Sequence, residues 1–122
     1  MNTDKGGREK RKSPRYYLEL PIEYRVTNAP DAYGGVVVDG SEIGLRIQSV
    51  KNLPVGTKLN VGVIFPKEFE MINFEVMTEI VWKELYWRED WNGYQYGLKF
   101  LQILNEDFLK LKKLLKEQLR KP

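Results

Sequence analysis

From Tyr16 onward, apolar and polar side chains alternate with a period of two, the spacing that sends successive side chains to opposite faces of a β-strand. In YYLELPIEYRV (16–26), Leu18, Leu20, Ile22, Tyr24 and Val26 share one face, while Tyr17, Glu19, Pro21, Glu23 and Arg25 share the other. Pro21 has no N–H to give a ladder, which places it at an edge or a bulge. The turn-rich TNAPDAYGG leads to the apolar run 36–38, and LRIQS then sets Leu45 and Ile47 against Arg46 and Gln48. A Pro-Val-Gly turn at 54–56 precedes a strand with Leu59, Val61, Val63 and Phe65 facing inward. Residues 72–82 predict a longer strand in which Phe74, Val76, Thr78, Ile80 and Trp82 share a face. Asn92 and Gly93 both tolerate positive φ and signal a hairpin, after which Tyr94, Tyr96, Leu98 and Phe100 align.

The period changes at the C-terminus. Asn105 is the expected N-cap of a helix over about 105–120, with Glu106 and Asp107 in the first turn, where the helix dipole favours anions. Phe108, Leu111, Leu115 and Leu119 recur at helical spacing, and lysines at 110, 112, 113 and 116 cover the remaining surface. Six short strands joined mostly by turns, followed by one amphipathic helix, predict a mainly β fold. The expected form is a closed six-stranded antiparallel barrel, its C-terminal helix lying across one opening or on a partner. The barrel and helix occupy residues 16–122, and residues 1–15 form an arm.

Composition narrows the function classes. A chain of 122 residues with 42% hydrophobic content is one domain able to bury a core without disulfides or structural metal. It contains neither cysteine nor histidine, which removes thiolate catalysis, the usual zinc clusters and the commonest general base. The glutamates show no spacing that argues for an acid pair, so an enzyme is not expected. The N-terminus lacks the apolar segment of a signal peptide, and no stretch approaches the roughly 20 apolar residues that span a bilayer. A cytoplasmic protein without membrane insertion is the resulting expectation.

The net charge of +3 is unevenly spread. Lys5, Arg8, Lys10, Arg11, Lys12 and Arg15 face only Asp4 and Glu9 in the first 16 residues, and with two glycines and Pro14 this arm is expected to be flexible. Two readings stand: a solvated tail, or a positive arm waiting for phosphate. The hexapeptide DGSEIG (39–44) is equally open. Asp39 and Ser41 suit local turn hydrogen bonds. Equally, the Asp39 carboxylate can accept the paired N1–H and N2–H of a guanine edge, while Gly40 and Gly44 let the backbone approach a ligand or take positive φ.

Taken together, RKSPR (11–15) and DGSEIG resemble the two halves of the PilZ signature, R-x-x-x-R followed by [DN]-x-S-x-x-G. Arg11 and Arg15 fit the first half, and Asp39, Ser41 and Gly44 the second. The resemblance extends over about residues 8–120 through GLRI (44–47), PVG (54–56), IVW (80–82) and YGLKF (96–100). It implies a six-stranded barrel that binds cyclic di-GMP, needs no cofactor, and relays the level of this second messenger to motility, exopolysaccharide and biofilm, or virulence machinery. No output domain accompanies the barrel, so the message is expected to pass by contact to an effector protein that the sequence does not identify.

The chemistry suits that ligand, because guanidiniums form bidentate hydrogen bonds to phosphate oxygens or to guanine O6 and N7 and also stack on bases. Lys10 is read either as an influence on ligand stoichiometry or as a solvated lysine. Trp82 has a stacking and a core reading. Arg46, opposite Leu45 and Ile47, is read as a surface residue with phosphate contact as its functional alternative. Gly40 stands where the family commonly has an apolar residue, implying weaker packing and a more flexible loop. The rival classes are a nucleotide-independent PilZ-like adaptor and, less favoured, a general nucleic-acid-binding module with steep salt dependence.

Overall fold

The computed structural model describes residues 14–120, with side chains described to residue 118. Lys10, Arg11 and the rest of the predicted arm before Pro14 lie outside the described residues. Six strands follow in order: β1 (Tyr16–Val26), β2 (Tyr33–Gly40), β3 (Gly44–Ser49), β4 (Lys58–Lys67), β5 (Glu70–Arg88) and β6 (Trp91–Gln102). All pair antiparallel in the order β1-β2-β3-β6-β5-β4, and β1 pairs back onto β4 to close the barrel. The single helix among the described residues, α1 (Asn105–Arg120), follows β6.

The period-two pattern is realised inside the ring. Ile22, Tyr24, Val37, Ile47, Leu59, Val61, Val63, Phe74, Ile80 and Tyr96 are buried in one apolar cluster. Each end of the barrel is closed differently. The connection from β3 to β4 inserts Leu53, whose N–H donates to Tyr96 Oη at 2.8 Å while that hydroxyl donates to the Lys51 carbonyl at 2.5 Å. At the opposite end α1 packs on β5 and β1, and Leu111, Leu114 and Leu115 join the core. Lys110 fixes the helix by donating to the Asn73 carbonyl at 3.1 Å. Of the two placements expected for the helix, the structure takes the one across the opening. No described helix is long and apolar enough to cross a membrane.

Several local expectations are corrected. The β5–β6 turn is Glu89–Asp90, between the paired Arg88 and Trp91, so β5 runs well beyond residue 82 and Asn92 and Gly93 lie within β6. Gly93 is needed for space: a Cβ there would stand 2.8 Å from both the Ser49 carbonyl and the Trp91 ring. Pro21 sits just past the β1 irregularity between Tyr17 and Leu20, before β4 pairing begins at Ile22, where its missing N–H costs no β4 hydrogen bond. The helix spans the expected range, but Phe108 N–H donates to the Leu104 carbonyl, which makes Leu104, and not Asn105, the cap residue.

The Gly40 expectation is also reversed. The residue is buried, and a Cβ would lie 2.6 Å from Leu45 Cδ2 and 3.2 Å from Leu18 Cδ1. The core beneath the loop is therefore filled by those two leucines, not left loose.

Candidate functional site

A bulge builds the site. The register of β5 on β6 shifts between Ile80 and Trp82, so Val81 is the extra residue and the alternation flips. Uninterrupted alternation predicts Trp82 inside; the shift instead pairs it with Gly97 and turns its indole onto the outer wall, 39% exposed. The core reading of Trp82 is thereby overturned. The indole lies directly on Gly97, where a Cβ would be 2.0 Å from Nε1 and 2.3 Å from Cε2.

Gly97 pairs in turn with Arg46 on β3, Arg46 with Asp39 on β2, and Asp39 with Tyr17 on β1. A second irregularity, between Val37 and Asp39, lets Asp39 face outward although Val37 two residues earlier is fully buried. One row across the outer wall thus reads Tyr17, Asp39, Arg46, Gly97, Trp82. Arg15, just before β1, reaches the same row. Arg15, Asp39, Arg46, Gly97 and Trp82, with Gly44, Lys99 and neighbours, line an open groove of about 450 Å³.

Asp39 is the electrostatic centre. Its Oδ1 accepts from Arg15 Nε at 3.0 Å and forms an ion pair with Arg15 Nη2 at 2.9 Å, and its Oδ2 accepts from Arg46 Nη2. The carboxylate side chain is only 13% exposed, whereas the Arg15 and Arg46 side chains are 47% and 39% exposed. One anion therefore holds two guanidiniums side by side at the rim of the groove, leaving a net local positive charge. Arg46 Nε is buried and has no hydrogen-bond partner, the one such side-chain atom among the described residues. A buried donor left unpaired costs roughly 1–3 kcal/mol, so an incoming acceptor here recovers energy already spent. Beside Asp39, the Tyr17 phenol is pushed above its ordinary value by its hydrogen bond with Glu19.

The predicted residues divide by role. Arg15, Asp39, Gly44, Arg46 and Trp82 come together in the groove. Ser41 does not: it is fully buried, its N–H donates to the Gly44 carbonyl at 2.9 Å, and its Oγ accepts from Ile43 N–H at 3.1 Å, so it folds the loop between β2 and β3. Gly40 is likewise beneath the loop. Gly44 has no positive φ; its missing Cβ instead lets β3 approach the Leu98 carbonyl, which a Cβ would meet at 2.4 Å. Gly97 is a groove residue that pattern reading missed. Its only sequence signal is a glycine interrupting an otherwise bulky strand, YQYGLKF.

The PilZ domain family matches residues 9–117 of the chain. Among solved structures, the fold is similar to that of the Bacillus subtilis inhibitor of motility (MotI/DgrA), with a TM-score of 0.71 at 15% identity over 91% of this chain and 52% of that one. It is also similar to the PilZ domain with c-di-GMP of YcgR from Escherichia coli, with a TM-score of 0.68 at 11% identity over 91% and 92% of the two chains. For the Borreliella burgdorferi PlzA protein in complex with c-di-GMP the TM-score is 0.60 at 14% identity, over 94% and 55%. The chain spans about half the length of the motility inhibitor and of PlzA. No curated protein matches it in sequence. At these identities the structural likeness establishes the fold, and the sequence match over most of the chain establishes the family: this protein belongs to the PilZ domain family.

Proposed function

We propose that this chain is a cyclic di-GMP receptor, a binding module that converts the level of the messenger into a contact with an effector protein in the control of motility, exopolysaccharide and biofilm, or virulence machinery. The observation that carries the reading is the unpaired, buried Arg46 Nε beside the Arg15–Asp39–Arg46 cluster, in a groove floored by Trp82. Two guanidiniums suit phosphate oxygens or the O6 and N7 edge of guanine, and the indole offers a π-face to a base. Binding then exchanges partners on Asp39. The paired N1–H and N2–H of guanine take over the Asp39 carboxylate, and the Arg15 guanidinium, with Arg11 four residues before it, turns to the ligand. Family membership supports the reading, as does the fold shared with two proteins described with c-di-GMP and one described as an inhibitor of motility.

Calorimetry on the full chain tests it. Cyclic di-GMP is expected to bind, cyclic di-AMP and GTP to compete poorly, and Arg15→Ala or Arg46→Ala each to weaken binding by about one to two decades, since a good bidentate contact is worth roughly 1–3 kcal/mol. Absence of binding heat with cyclic di-GMP overturns the reading in favour of a nucleotide-independent adaptor. Equal competition by RNA assigns the basic surface to general nucleic-acid binding instead.

A further inference from the structure

The inward face of β5 does not stop at the mouth of the barrel. Beyond the bulge, Lys83, Leu85 and Trp87 share one face of the β5–β6 hairpin, which projects past Ser49, the last residue of β3. Among the described residues nothing covers that face. Leu85 is 62% and Trp87 69% exposed, and Val50 beside them is 66% exposed. With Tyr94 they line a shallow groove of about 490 Å³. Scattered exposed apolar residues are ordinary, but a contiguous patch containing a tryptophan marks an interaction surface.

The order of residues along this face identifies what covers it. From the mouth of the barrel to the hairpin tip the series reads Lys83, Leu85 and Trp87 along β5 and then Glu89, the first residue of the turn: base, apolar, apolar, acid. The series is self-complementary about Tyr86. A two-fold axis at that position sets Leu85 against Trp87 of a second copy and, with the same register, Lys83 against Glu89 of the second copy. At about 3.3 Å per residue, Lys83 and Glu89 lie roughly 20 Å apart along the strand, so both ends of the contact close together only in the antiparallel arrangement. A parallel arrangement opposes like charges. At the mouth, positive charge is reinforced by Lys51, while Lys83 is steadied by the Asn52 side chain and by the Tyr94 ring 5.0 Å away. On the reverse side of the hairpin, Tyr86 and Trp91 pack with ring centroids 5.6 Å apart, and Arg88 donates to Tyr86 Oη at 3.3 Å, which stiffens the element that has to dock.

We propose that a second copy of this chain docks on the first through these hairpin faces, forming an isologous dimer. Three or four apolar side chains per copy bury less than the roughly 1,200 Å² of a standard interface, so the dimer is weak and concentration-dependent. Salt weakens it further because its end pairs are solvent-exposed. Trp82 and Arg46 face the outer wall, so the nucleotide groove stays open, and the dimer does not depend on the proposed ligand.

Sedimentation velocity on the full chain without nucleotide, from about 5 to 500 µM at low salt, tests this directly; the range brackets the micromolar affinities that small interfaces show. A monomer–dimer equilibrium is expected for the native chain and a monomer throughout for Trp87→Glu, with circular dichroism confirming that the barrel is folded. Lys83→Glu and Glu89→Lys should each raise the dimer dissociation constant at least several-fold. The double variant carrying both changes should restore it, because the swapped charges pair again across the two-fold axis. A native chain that stays monomeric over the whole range overturns the proposal, as does a dimer indifferent to Trp87→Glu or a double variant no tighter than the single ones.

Discussion

Replacing Gly97 by alanine puts one methyl group where the Trp82 indole now rests. The new Cβ would lie 2.0, 2.3 and 2.6 Å from three atoms of the five-membered ring, distances no side chain tolerates. Backbone movement is blocked because Gly97 is paired on both sides, to Arg46 and to Trp82. The indole is 39% exposed and free to swing outward, so the strain is relieved there. Folding stability should therefore change by no more than about 1 kcal/mol, the common size of a point-mutation effect. The loss falls on the groove, which forfeits its stacking platform. Stacking of a base on an aromatic ring is worth roughly 1–3 kcal/mol, and each 1.4 kcal/mol is tenfold, so cyclic di-GMP affinity should fall about 5- to 150-fold.

Calorimetry gives the affinity, urea denaturation the stability, and the Trp82 indole N–H resonance reports whether the ring has moved. Because both substitutions remove the same interaction, Trp82→Ala and the double variant should bind no worse than Gly97→Ala by more than a few tenths of a kcal/mol. An indole resonance that stays in place refutes the steric argument. A displaced indole with unchanged affinity refutes the stacking role of Trp82.

Two further predictions test the scaffold. Gly40→Val introduces the apolar residue common in the family at a place already filled by Leu45 and Leu18, so it should destabilise the barrel by about 1–3 kcal/mol in urea denaturation; a stabilised variant refutes the packing argument. Burial raises the phenol pKa of Tyr24 and of Tyr96 above the ordinary value near 10, so the unfolded chain ionises first as pH rises. The stability these neutral phenols contribute is complete below pH 10 and is lost as pH climbs through their folded values, and Tyr24→Phe should flatten that alkaline decline. A native chain equally stable at pH 9 and pH 11 contradicts this.

The strand count, the antiparallel barrel and the C-terminal helix were legible because each depends on a local period: two for Leu18 to Val26, and three to four for Phe108 to Leu115. Arg15, Asp39 and Gly44 were legible only through their resemblance to a signature, since short arginine and glycine motifs specify no geometry. What the sequence determined, then, was which faces are apolar and which segments pair through a turn.

Tertiary structure decided the rest, and the reason is that bulges carry no periodic mark. The extra residue at Val81 turned Trp82 from core to groove, and the irregularity after Val37 turned Asp39 outward to meet Arg15 and Arg46. The same holds for Gly93, whose turn-like identity reflects the closeness of Ser49 and Trp91 and not a chain reversal. Which donor lacks an acceptor is likewise settled only when strands far apart in sequence converge. Arg46 reads as one polar position in an alternating strand, and only the closed barrel buries its Nε without a partner.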